Sequence, residues 1–157
     1  MQKIMIDTNV VVSALLTKGY SSKIVYELIL SEKAKLCLSP SVLKEYVNVL
    51  FREKFVKYPS FVASAEVVLA KMQELAVMYE PTVKINLLKD KDDNKFLELA
   101  VTADASYLVT GNKNDFQISA YQTVKIVTPK ECWDKFNTTD FPPSYFAEPR
   151  AKYRKSK

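Results

Sequence analysis

Four short apolar runs constrain this chain more than anything else in it: KIMI at 3–6, AKLCLS at 34–39, SYLVT at 106–110 and TVKIVT at 123–128. Each is short and apolar, and all but AKLCLS carry β-branched residues, the pattern of a strand buried on both faces. Most of the sequence between them repeats at helical spacing. VVVSALL predicts a helix over residues 8–16, and Ser22 reads as the cap of a second that carries Ile24, Val25, Leu28 and Ile29. Ser39-Pro40 opens a third through VLKEYVNVLFREKF, and Pro59-Ser60 a fourth, with Phe61, Ala65, Val68, Met72, Leu75, Ala76 and Tyr79 on one stripe. LELAVTA continues another helix, and Pro129 opens a short last one, KECWDKF. The order β-α-α-β-α-α-α-β-β-α predicts an α/β fold on a mainly parallel sheet. In such sheets sites form outside the carboxyl ends of the strands.

What is missing from the composition narrows the chemistry. The 157 residues contain no histidine, which excludes Ser-His-Asp and Cys-His nucleophiles, histidine bases and His-ligated zinc. With two glycines, Gly19 and Gly111, neither a GxGxxG turn nor a P-loop can be assembled. Cys37 and Cys132 lack CxxC spacing and sit in apolar surroundings, the pattern of reduced, buried thiols. No signal peptide is evident, and no apolar run approaches the roughly 18 residues of a membrane span. A cytoplasmic protein is expected. The net charge of +5 resides in the tail RAKYRKSK, where Arg150, Lys152, Arg154 and Lys155 are candidate contacts to nucleic-acid phosphates. A single domain over 1–136 followed by a Pro-containing arm over 137–157 fits this distribution.

Chemistry must therefore come from carboxylates, amides, hydroxyls and lysines. Asp7, Thr8 and Asn9 follow the first strand directly, in the middle of an apolar stretch where an unpaired charge is costly. Asp7 is either a helix cap or a cation ligand. Glu45 falls in phase with Val42, Tyr46, Val49 and Leu50, so it sits on the buried stripe of its helix, paired either with a lysine or with a metal. Asp90, Asp92 and Asp93 cluster ahead of the helix that carries Phe96, Leu97, Ala100 and Val101. Thr110, Asn112 and Asp115 follow the third predicted strand. Carboxylates gathered without histidine suit a hard cation, Mg2+ or Mn2+, of the kind that serves phosphodiester hydrolysis.

The segments IDTNVVVSALL, LSPSVLKEY, KDKDDNKFLELAVTADASYLVTGN and VKIVTPKE together resemble the PIN-domain family of metal-dependent ribonucleases, in particular the VapC-like toxins of toxin–antitoxin pairs. The resemblance implies a three-layer α/β/α sandwich around a mainly parallel sheet, and an endoribonuclease activity on RNA. It also implies that Asp7, Glu45 and Asp93 form the acidic triad that binds Mg2+ or Mn2+. The family often carries a fourth acid in a Thr-x-Asp pattern; here Thr110-Gly111-Asn112 places an amide, and Asp115 stands three residues on as a substitute. Helical phase separates two neighbours in the acidic cluster. Asp93 continues the stripe of Phe96, Leu97, Ala100 and Val101, whereas Asp92 points about 100° away and suits a cap.

Two other functions compete. A phosphatase of the haloacid dehalogenase type also starts with an Asp after its first strand, but it needs a second Asp where this chain has Asn9. A catalytically weak module of the same fold would bind RNA or protein without turnover. An antitoxin, or a second copy in a homodimer, is a further expected partner if the apolar faces of 61–79 and 22–30 exceed what the sheet covers.

Overall fold

The computed structural model describes residues 1–139, apart from the side chains of Asp115, Thr138 and Thr139. Its elements are β1 (Lys3–Ile6), α1 (Thr8–Leu16), α2 (Tyr20–Ser22) running into a π-helical segment (Lys23–Ile29), β2 (Lys35–Leu38), α3 (Pro40–Leu50), α4 (Glu53–Val56), α5 (Pro59–Leu75) and β3 (Val77–Met78). A 3-10 turn (Lys91–Asp93) then leads to α6 (Asn94–Ala103), β4 (Tyr107–Val109), α7 (Lys113–Phe116), β5 (Ala120–Tyr121), β6 (Val124–Val127) and α8 (Pro129–Thr139). The strands form one sheet in the order β3-β2-β1-β4-β6-β5. All neighbours are parallel except β5 and β6, which pair antiparallel. Helices flank the sheet to make the expected α/β/α sandwich: α6 packs on β1, β2 and β4, α5 on β2, and α8 on β4 and β6.

The four apolar runs are the four inner strands, and each is almost wholly buried. The stripe on α5 is core as well, since Phe61, Ala65, Val68 and Met72 are buried. Val67, on the other side of α5, and Tyr26, in the π-helical segment, are exposed, as are Leu16, Tyr58 and Leu87 elsewhere among the described residues. Both thiols are buried and free, and burial pushes Cys37 and Cys132 up to about 12, which keeps them protonated and inert. No helix of the described residues is long and apolar enough to cross a membrane.

Local chemistry changed several boundaries. The third predicted helix is broken: Arg52 is extended (φ −65°, ψ 152°), so α3 stops at Leu50 and α4 begins at Glu53. The second begins at Tyr20 with Gly19 before it, and Ser22 makes no capping bond. The last helix runs on to Thr139, into the segment expected to be an arm. The two-residue strands β3 and β5 are too short to carry a period-2 pattern.

The start of α8 has a reciprocal cap. Glu131 N–H donates to Thr128 Oγ1 at 3.1 Å while Thr128 N–H donates to Glu131 Oε1 at 2.9 Å. The Thr128 backbone bond, then Lys113, holds the Glu131 carboxyl below its ordinary value of 4.5. A carboxylate lowered by folding adds stability above 4.5 and loses it as pH falls through the lowered value. Thr128→Ala is expected to cost about 1 kcal/mol. Melting curves should show Glu131→Gln less stable than the parent at neutral pH, with the gap closing well below 4.5; a gap that persists there contradicts the cap.

Candidate active site

From β1 the sheet grows through β2 to β3, and the chain then crosses back to lay β4 on the other side of β1. The carboxyl ends of β1 and β4 thus flank the point where the strand order reverses, where open α/β sheets form their binding crevice. Asp7 is the first residue beyond β1 and Thr110 the first beyond β4. A cleft of about 530 Å³ opens here, and Asp7, Glu45 and Asp93 all line it.

Asp7 is 5% exposed, and both its carboxylate oxygens are engaged. Oδ1 accepts the Val10 N–H at 3.1 Å, capping α1, and Oδ2 accepts the Thr110 hydroxyl. Thr110 is held in turn, since its oxygen accepts the Asn112 N–H at 3.0 Å. The cap expected of Asp7 is therefore made, by Oδ1, while Oδ2 is turned towards Thr110. Burial raises the Asp7 carboxyl above its ordinary 3.8, these hydrogen bonds oppose the rise, and the charge of Glu45 adds to it.

Glu45 comes from α3, whose Val42, Tyr46 and Leu50 are buried beneath it. Its Oε2 accepts the Thr8 hydroxyl, and its Oε1 pairs with Lys95 Nζ at 2.5 Å. The half-buried acid thus has a lysine partner, one of the two pairings that its place on the stripe left open. Next to it Tyr46 is fully buried and donates its hydroxyl to the Ile6 carbonyl, tying α3 to the residue before Asp7.

Asp93 ends the 3-10 turn at the head of α6 and is half-buried, while Asp92 is exposed; both line the cleft. The capping bond expected of Asp92 is made by Asp90, whose carboxylate accepts the Asp92 N–H at 3.0 Å. The reason is that the turn starts at Lys91, which puts Asp90 in the capping position. Two tethers went unanticipated. Buried Asn94 accepts the N–H groups of Leu87 and Leu88 (3.3 and 3.0 Å), and Glu98 accepts that of Ile85 at 2.8 Å. They strap the preceding segment to α6 and so hold Asp93 at the rim.

Asn9 lines the cleft, and Asn112 does not: it is exposed and supports the site through its backbone. Asp115 lies in α7, but its side chain is outside the described residues, as are Arg150, Lys152, Arg154 and Lys155. One wall is the polar side of α3, with Ser41, Lys44 and Asn48, and Arg52 beyond its end. Their helical spacing on the face beside Glu45 was the readable signal for that wall. Lys95 was missed because its partner is remote in sequence.

The oxygen donors of the three acids have the chemistry of a Mg2+ or Mn2+ site. As they stand, no three carboxylates or thiols among the described residues form a group able to hold an ion, and Glu45 is taken up by Lys95 and Thr8. Donor type fits a hard cation; closure on one requires Glu45 to change partners.

A family model described as PIN domain matches residues 3–114. This chain belongs to the PIN-domain family. PIN domains are generally nucleases that act on RNA and typically use divalent metals. The match takes in Asp7, Glu45, Asp93, Thr110 and Asn112, and ends just short of Asp115. This PIN domain is also similar to an uncharacterized protein of Methanocaldococcus jannaschii, 33% identical over 143 residues that cover 85% of this chain and 91% of the relative.

Proposed function

We propose that this PIN domain is an endoribonuclease that hydrolyses RNA phosphodiester bonds with Mg2+ or Mn2+ held by Asp7, Glu45 and Asp93. On its resemblance to VapC-like proteins, we assign it the role of a cytoplasmic toxin whose antitoxin binds it as a separate protein. The observation that supports the nuclease reading most is that three acids from three distant segments line one cleft at the switch point of the sheet. Asp7, Glu45 and Asp93 would hold the ion, which when bound would supply an acidified water and positive charge to offset that of the scissile phosphate. The chain's own groups do the rest. Thr110 and the Val10 amide orient Asp7, Thr8 orients Glu45, and the strapped loop presents Asp93. Lys44 and Arg52, on the cleft wall without an ion pair among the described residues, attract the phosphate backbone.

The Glu45–Lys95 pair and the amide at Asn112 favour a second reading, a PIN-fold module that holds RNA without cutting it. Incubation with single-stranded RNA separates the two. Cleavage is expected with Mn2+ or Mg2+, and is expected to vanish in EDTA and in Asp7→Ala. Cutting that survives EDTA overturns the metal role, and RNA that is retained but intact with either metal supports the binding module.

A further inference from the structure

The Lys95 ammonium is the cation that Glu45 holds in the acidic cleft. The two side chains are 27% and 23% exposed, and their 2.5 Å contact joins the first turn of α6 to the middle of α3. Lys95 lines the cleft with Asp7 and Asp93, two residues beyond the latter. Its position has two physical consequences. An ammonium on Glu45 screens that carboxylate from its neighbours Asp7 and Asp93 and keeps it from turning away to solvent. A divalent ion taken by Glu45 competes with the ammonium on Oε1 and with the Thr8 hydroxyl on Oε2, and two cations on one carboxylate repel each other, which favours release of the ammonium.

We infer that Lys95 is an exchangeable counter-ion of the site: it holds Glu45 in register, yields it to the metal, and then turns its ammonium to a phosphate of the RNA. The inference rests on the metal reading above and adds a residue that this reading does not need. A lysine is suited to the exchange, being a flexible point charge with three rotatable donors, whereas a guanidinium would lock onto the carboxylate in a bidentate pair. Displaced from Glu45, the ammonium remains tethered to the rim that bears Lys44 and Arg52, where a backbone following the cleft would meet it.

The test compares the full-length protein with Lys95→Met, which keeps an unbranched apolar stem and removes the terminal ammonium. Mn2+ affinity is measured by titration calorimetry, and affinity for single-stranded RNA by fluorescence anisotropy across a salt series with Ca2+ in place of the catalytic metal. Lys95→Met is expected to bind Mn2+ about fivefold more tightly or better, because the competitor is gone. The slope of log affinity for RNA against log salt should shrink by about 0.7, the value of one lost single-strand phosphate contact. A lysine that merely braces the fold would leave Mn2+ affinity unchanged or weaker, and that result overturns the exchange. Tighter Mn2+ binding with an unchanged salt slope overturns the phosphate contact. Failure of both parent and variant to bind Mn2+ instead overturns the metal site on which the inference rests.

Discussion

Asp7→Asn is expected to abolish metal-dependent RNA cleavage and, in the same sample, to raise the melting temperature of the protein. The two effects share one cause. Asp7 is a buried carboxylate whose charge is disfavoured by its surroundings, so before any cation arrives it opposes folding at neutral pH. Asparagine preserves the shape and the bonds. Its carbonyl still accepts the Val10 N–H as a cap, and its NH2 can donate to the Thr110 oxygen in place of the bond that the Thr110 hydroxyl donates to Asp7. The charge lost is the one that a divalent ion needs. The fall in activity should exceed the roughly 10–100-fold that loss of a mere supporting partner costs in a metal site. Cleavage assays and melting curves on metal-stripped protein measure both. A lower melting temperature would mean that the Asp7 charge is satisfied by its hydrogen bonds and that burial is not the dominant influence.

The sheet was legible because burial on both faces leaves a mark that survives in a single sequence. KIMI, KLCL, YLV and VKIV carry it, and so do the proline starts of α3, α5 and α8. The break at Arg52 left no mark, since no glycine or proline stands there to signal the extended backbone. Residues 22–29 showed helical spacing, but that spacing cannot tell an α-helix from the π-helical winding that Lys23–Ile29 adopts. Around the cleft, Asp7 stood out as a charge set in an apolar stretch after the first strand, and Glu45 and Asp93 as charges in phase with apolar stripes. What sequence could not supply was pairing across the fold. Lys95 on Glu45 and Thr110 on Asp7 join residues remote along the chain. One local signal was readable and passed over: Thr128-Pro129-Lys130-Glu131 is the spacing of a capping box.

The second large effect separates two adjacent acids. Asp93→Asn is expected to remove Mn2+ binding and RNA cleavage with little change in stability, whereas Asp92→Asn keeps both. Both side chains reach the cleft, so proximity does not distinguish them. Burial and support do. Asp93 is half-buried at the head of α6, held there by the Asn94 straps, while Asp92 is exposed on the turn that Asp90 caps. A metal ligand must be held in place, since an exposed carboxylate spends rotamer entropy when an ion fixes it. The most direct measurement is therefore a calorimetric titration of Mn2+ into the parent protein, Asp93→Asn and Asp92→Asn. The metal site proposed for this cleft predicts saturable binding by the parent and by Asp92→Asn, and none by Asp93→Asn. Undiminished binding by Asp93→Asn, or its loss in Asp92→Asn alone, would contradict it.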